Sequence, residues 1–394
     1  SGVRVNAGVI HRLLDAEGNE VCVSGTALQL EPGQTSDCMT RPEVTNPHLW
    51  TDDDPYLYTL ISTVVVDQTP VDEVKTRIGI RTATFDCDRG FLLNGERVKI
   101  KGMCVHHDCG LTGAVGYRET WERRLRVLKE MGCNGIRCAH NPPTPALLDL
   151  CDELGFLVMD EIFDEWKLTK DKNQNYYSQS FAYGSSQFFE AHAEEDLVRM
   201  LRRDYNHPSV ILWSIGNEIP EQSSIDGVKI LRFLQDICHR EDTSRMVTSA
   251  CDNIVAYGSI RTLREFENAL DVVGYNYVGR WRERAETFYD EDRHDYPQRR
   301  MCGSENGSVG GRRGVYDDTH SFFGPYESQS LRNEALWRYT ASHDFVAGDY
   351  LWTGIAYLGE TRWPSRGADS GPLDTAGFKK DAYYYFRSIW NQRE

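Results

Sequence analysis

The 394-residue chain carries 60 acidic and 44 basic residues, a formal charge of −16 at pH 7. That balance argues against nucleic acid and anionic membrane as partners, which both reward basic patches, and suits uncharged substrates such as neutral sugars better. Hydrophobic residues make up 40% of the chain, enough for a large core in a chain longer than one typical domain, and no apolar run is long enough to span a membrane.

Residues 1 to 85 read as all-β. Val21–Val23, Leu57–Val66 and Lys75–Arg81 are strand candidates, separated by turn-forming stretches such as Asp15–Asn19 and Glu31–Gly33. This predicts a small β-sandwich, incomplete at its N-terminal edge. From residue 86 to 394 the pattern changes. A hairpin with Asn94-Gly95 at its turn comes first. Strands follow near 99–105, 135–139, 156–161, 209–217, 246–250, 271–276, 299–304 and 345–353, with amphipathic stretches between them. In the clearest of these, Trp121, Leu125, Leu128 and Met131 share one helical face. Strand and helix alternating eight times predict an α/β fold, a (β/α)8 TIM barrel.

Connection lengths orient that barrel. Turns from helix into strand are short (132–134, 155, 206–208), whereas those from strand into helix are long (106–117, 166–187, 305–327, 355–380). The long connections belong to the C-terminal face, where barrel active sites are built. They carry Trp166, Tyr176, Tyr177, Phe181, Tyr183 and Trp363, rings suited to stacking on sugar faces or to packing the loops themselves. The 11 cysteines include no C-x-x-C pair, so most read as reduced core thiols rather than zinc ligands.

Chemistry is expected where carboxylates end apolar strands. Val210–Gly216 is a buried-strand pattern that runs into Asn217-Glu218, and Met301–Ser304 runs into Glu305. Two such carboxylates facing each other suit glycoside hydrolysis, which needs a proton donor and a second carboxylate across the anomeric carbon, about 5–5.5 Å apart in a retaining enzyme. His106-His107-Asp108 ends the first barrel strand. Adjacent histidines point to opposite faces of a strand, which weakens a joint metal-ligand reading and favours Asp108 as a partner for substrate hydroxyls.

The chain resembles glycoside hydrolase family 2, in its β-galactosidase-like branch. Trp213–Glu218 is similar to that family's acid/base strand, Gly303-Ser304-Glu305 to its nucleophile strand, Gly135–Pro143 to its second strand and Val158–Glu161 to its third. Asn46–Trp50 through Pro55–Tyr58 resembles the end of its immunoglobulin-like domain, with Gly79-Ile80-Arg81 leading into the barrel.

The resemblance implies that Glu218 is the general acid/base and Glu305 the nucleophile. It also implies that Asn217 binds the sugar 2-hydroxyl, that His140 contacts the sugar and that Arg137 supports the nucleophile. Tyr277 resembles the tyrosine that hydrogen-bonds the nucleophile, with Tyr275 as the competing choice, and Trp352 resembles a sugar platform.

Some family members bind Mg²⁺ beside the acid/base. Here Glu165 matches one ligand of that site near Glu218, but Lys167 stands where a histidine would be wanted, so no cofactor is expected to be required. The family's N-terminal jelly-roll domain is absent, which is expected to leave the pocket mouth incomplete and impair activity. No Asn-x-Lys signature follows Glu305, which favours a β-galactosidase over a β-glucuronidase, and Trp363–Gly367 through Ala376–Phe378 resembles the β-galactosidase-like branch. The expected partner is a β-galactoside or oligosaccharide, with β-glucuronide, β-mannoside and a turnover-deficient sugar-binding barrel as alternatives. The expected protein is soluble and bacterial, compatible with cytoplasm or periplasm and with a monomer or a homo-oligomer.

Overall fold

A computed structural model describes residues 2–170, 184–254, 261–278, 284–308, 313, 326–360 (backbone alone through 331) and 367–391. The chain divides into two compact units, Ser1–Arg81 with Asn206–Pro208, and Thr82–Tyr205 with Ser209–Glu394.

In the first unit four strands form one antiparallel sheet: β1 (Val5–Leu14), β2 (Glu20–Leu30), β3 (Tyr58–Val66) and β4 (Thr69–Ile78), in the order β2-β1-β3-β4. Leu13, Trp50, Tyr58 and Ile61 are its buried side chains. Strand β1 had no counterpart among the sequence candidates, and β4 begins six residues before the stretch that suggested it. Its leading residues, Thr69 to Lys75, are all exposed, so no apolar face marks them. The turn between β3 and β4 is Asp67-Gln68, both at positive φ. Those are the dihedrals of a two-residue hairpin turn, built here without the glycine that usually announces one.

The second unit opens with β5 (Ala83–Asp86), β6 (Gly90–Leu93) and β7 (Glu96–Arg97), a three-stranded antiparallel sheet whose last turn is Asn94-Gly95 at φ 54° and 84°. Eight strands then form the closed barrel: β8 (Ile100–Val105), β9 (Gly135–Cys138), β10 (Leu157–Glu161), β11 (Val210–Asn217), β12 (Met246–Cys251), β13 (Val272–Asn276), β14 (Met301–Asn306) and β15 (Val346–Leu351). Every neighbouring pair is parallel, and β15 closes the ring on β8 from Gly348↔Ile100 to Leu351↔Met103. Side chains fill the interior: Tyr350 points inward, its hydroxyl donating to the Leu157 carbonyl at 3.1 Å. A Cβ on Gly102 would collide with that ring, which explains a glycine in mid-strand.

The helices are α1 (Arg118–Glu130), α2 (Pro145–Leu154), α3 (Ser186–Asp204), α4 (Ile225–Glu241), α5 (Arg264–Glu267), α6 (Phe288–Asp295), α7 (Tyr326–Ser342) and α8 (Asp381–Trp390). Trp121, Leu125 and Leu128 of α1, with Met131 just beyond it, are all buried, as their spacing requires. Proline opens α2 at its first position and Gly155 closes it in the left-handed conformation, so the chain enters β10 within three residues. All 11 cysteines are free thiols, eight of them buried. Among the described residues no helix is long and apolar enough to cross a membrane.

Candidate active site

Arg137 on β9 organises the site. Fully buried, it donates through Nη1 to Glu305 Oε2 at 2.5 Å, and through Nη2 to Glu161 Oε2 at 2.8 Å and to Asn217 Oδ1 at 2.9 Å. Its five fixed donors suit several acceptors at once in a way a lysine could not. Glu161, the last residue of β10, also accepts from Ser214 Oγ at 2.6 Å and pairs with His140 Nδ1 at 2.8 Å. Burial opposes its charge, but Arg137, His140 and Ser214 outweigh burial and hold its carboxyl below the ordinary value. The sequence reading placed Glu161 on a strand without giving it a role. It satisfies the same strand-end criterion that singled out Glu218, so the signal was present.

Glu218 follows the last residue of β11 at φ 45°, a left-handed conformation that non-glycine residues seldom adopt and that clusters at functional sites. Its backbone N–H donates to the Ala250 carbonyl at 2.8 Å, and its Oε1 accepts from Asn276 Nδ2 at 3.1 Å. Asn276 is itself oriented by Ser304 Oγ, which donates to Asn276 Oδ1 at 2.6 Å. Burial, then the negative charges of Glu305 and Asp252, push the Glu218 carboxyl up to about 8. The two carboxyls thus differ, Glu305 being salt-bridged to a buried guanidinium and Glu218 being pushed towards its protonated form.

An aromatic wall stands beside them. Trp352, following β15, lies parallel to His140 with ring centroids 5.4 Å apart. His106, following β8, meets Trp352 edge-on at 5.1 Å and lies 4.2 Å from the Tyr357 ring. Burial, then the neighbouring His140 and His107, push His106 down to about 3, which leaves it a neutral ring. His107 faces the other way and is exposed, its Nδ1 3.1 Å from Asn141 Oδ1, so the two histidines do share no ligand position. A cavity of about 720 Å³ begins at His140 and extends past Phe163 and Asp164 to Phe188 and Arg203.

The remaining expected residues divide. Tyr277 stands at φ 51° with its N–H donating to the Glu305 carbonyl at 2.8 Å, which places it beside that residue. Tyr275 is excluded as its rival: it is fully buried against Phe288 and Tyr289, with its hydroxyl donating to Asp292 at 2.8 Å. Asp108 accepts the Gly110 and Leu358 amides at 3.3 and 3.2 Å, tying the segment after β8 to the one after β15. Trp166 is a core residue rather than a sugar platform, fully buried with Nε1 donating to the Ile215 carbonyl at 2.8 Å. Tyr176, Tyr177, Phe181, Tyr183 and Trp363 lie outside the described residues.

Glu165 accepts the Lys170 amide at 3.0 Å on one oxygen and Ser185 Oγ and the Ser186 amide, at 3.1 and 3.2 Å, on the other. Lys167 turns to Glu190 at 2.6 Å. The ammonium that does influence Glu218 is that of Lys170, 2.6 Å from Asp164.

A parallel eight-stranded barrel with two glutamates, Glu218 and Glu305, at its strand ends has the layout of the carboxylate-pair glycosidases. The chain belongs to glycosyl hydrolase family 2: residues 87–359 match that family's TIM barrel domain, and residues 1–81 match a second domain described as glycosyl hydrolases family 2. It is 33% identical over 454 aligned positions to a β-galactosidase of Bacteroides ovatus, covering 100% of this chain and 50% of the relative. It is 27% identical to a β-glucuronidase of Bacteroides fragilis, covering 89% and 50%. A crystal structure of a family 2 member from Bacteroides cellulosilyticus superposes with a TM-score of 0.84 at 32% identity, covering 99% of this chain and 46% of that one. The chain therefore spans about half the length of these relatives.

Proposed function

We propose that this chain carries the catalytic centre of a retaining, exo-acting β-glycosidase that removes terminal β-D-galactosyl residues. The observation that supports it most is the asymmetry of the two carboxyls: Glu218 is pushed up to about 8, while Glu305 is salt-bridged to Arg137 at 2.5 Å. A proton donor and an ionised nucleophile in one pocket are what a double displacement requires.

In the first step a Glu305 oxygen bonds to the anomeric carbon as the bond to the leaving oxygen breaks, and Glu218 gives that oxygen its proton. In the second, Glu218 takes a proton from water, the water oxygen bonds to the anomeric carbon, and the ester to Glu305 breaks. Asn217, held by Arg137 and by a bond from its Nδ2 to Asp164 at 3.1 Å, is placed to meet the 2-hydroxyl. Trp352 and His140 supply ring faces for the sugar, and neither step calls on a metal.

Galactose is favoured over glucuronate by the β-galactosidase of B. ovatus as a relative and by the absence of an Asn-x-Lys run after Glu305. Nitrophenyl β-galactoside, β-glucuronide and β-mannoside assayed side by side test this. Preference for either of the latter two sinks the galactose assignment and leaves the mechanism standing. Galactose binding by calorimetry without turnover would instead identify a sugar-binding barrel. Glu305→Ala with azide should give an α-glycosyl azide, and the same product from Glu218→Ala would exchange the two roles.

A further inference from the structure

A guanidinium carries no acceptor, so every group hydrogen-bonded to Arg137 must accept from it. Its Nη2 donates to Asn217 Oδ1 at 2.9 Å, and the other end of the same amide, Nδ2, donates to Asp164 Oδ1 at 3.1 Å. Asn217 is therefore held in one orientation, with its oxygen turned towards Asn276 on β13, whose Nδ2 lies 3.4 Å away. An oxygen there turns the oxygen of Asn276 away. Asn276 presents its Nδ2 on that side, and the same nitrogen donates to Glu218 Oε1 at 3.1 Å.

The far end of Asn276 agrees. Its Oδ1 accepts from Ser304 Oγ at 2.6 Å, and both side chains are fully buried. A Cβ on Gly274 would stand 2.7 Å from that hydroxyl, so the glycine of β13 leaves it room. Ser304 immediately precedes Glu305 on β14. A relay of known polarity thus runs from the strand of one carboxylate to the other.

We propose that Asn276 and Ser304 are positioning residues that hold Glu218 Oε1 as an acceptor and so leave Oε2 as the oxygen that gives and takes the proton in both steps. The inference rests on the reading of Glu218 as acid/base. A carbonyl or carboxylate oxygen accepts better than a hydroxyl oxygen, so the donor aimed at Oε1 favours the acid whose hydrogen is on Oε2. In the first step Oε2 passes that proton to the leaving oxygen, and in the second it takes one from water. Oε1 accepts from Asn276 throughout. The carboxyl is thereby kept from turning over between the steps, and one oxygen meets both the leaving group and the water.

The test is how the first step depends on the leaving group, read as kcat/KM. Phenol needs a proton in order to depart, and dinitrophenol does not. Asn276→Ala should lower kcat/KM about 100-fold on a phenyl glycoside, the lower end of what general acid catalysis supplies, and less than about 5-fold on a dinitrophenyl glycoside. On the dinitrophenyl glycoside kcat and KM should fall together, because the ester to Glu305 accumulates when the base is misplaced. Azide, a nucleophile that needs no base, should restore that kcat. Ser304→Ala should act in the same direction and more weakly. Damage to the fold would lower both glycosides equally. Equal losses therefore overturn the proposal, as does an unchanged kcat/KM for Asn276→Ala on the phenyl glycoside.

Neutron crystallography of the chain reads the relay without turnover. Asn276 Nδ2 deuterons directed at Glu218 Oε1, with any carboxyl deuteron on Oε2, support it even if no glycoside is hydrolysed, in which case the functional reading fails and the relay stands. A reversed Asn276 amide, or a deuteron on Oε1, sinks it.

Discussion

Arg137 concentrates three acceptors on one buried cation, so its removal strands more than one group. Arg137→Met leaves Glu161 and Glu305 without their shared partner. Breaking a buried pair in this way costs about 3–5 kcal/mol. Urea unfolding should show that loss, and kcat should fall by about 100-fold or more as Glu305 and Asn217 lose their orientation. Arg137→Lys should fail nearly as badly, because an ammonium has three donors and no planar fork. Activity and midpoint unchanged in either variant would remove Arg137 from the centre of the site. At this scale the sequence was an uneven guide. Strand-end carboxylates are legible because packing rarely explains them, yet the choice between Tyr275 and Tyr277 was not. The two lie two residues apart on one strand end, and only the left-handed turn at Tyr277 separates the ring in the outer layer from the residue beside Glu305.

The barrel strands were readable to within a residue or two because both their faces are covered, so each is built mainly of buried apolar and small residues. β1 and the leading half of β4 escaped notice for the converse reason: they are exposed on at least one face, and Gly8 and Pro70 dilute the alternation. Helices announced themselves through their buried stripe, which makes α1 a fair place to test the packing. Leu125 is fully buried on the face that α1 turns to the core. Leu125→Ala should cost about 2–5 kcal/mol in urea unfolding, the usual toll for a buried leucine. The folded fraction should keep its kcat, since α1 contributes no side chain to the carboxylate cluster. A loss under 1 kcal/mol would mean that the face is less tightly packed than its burial implies.

For the molecule as a whole, β10 ends in two carboxyls with opposite effects on acid and alkaline stability. Burial, then the charge of Asp204, push Asp160 well up, whereas Glu161 is held down. A raised group binds its proton more tightly in the folded chain than in the unfolded one. Its contribution is therefore complete below about pH 4, the unfolded value, and is lost as the pH rises towards the folded value. Glu161 acts the other way, stabilising above its unfolded value and failing as the pH falls. Asp160→Asn should accordingly flatten the decline in Tm between pH 5 and pH 8, and a decline as steep as the parent's would rule out Asp160 as its source.

The ring closure of β15 on β8 has a further consequence, for biosynthesis. His106 emerges early, yet Trp352, which completes the aromatic wall beside it, follows a strand made some 246 residues after β8 begins. The emerging polypeptide holds both glutamates before it holds the aromatic wall, so the candidate site is completed only when the eighth strand has left the ribosome and found the first.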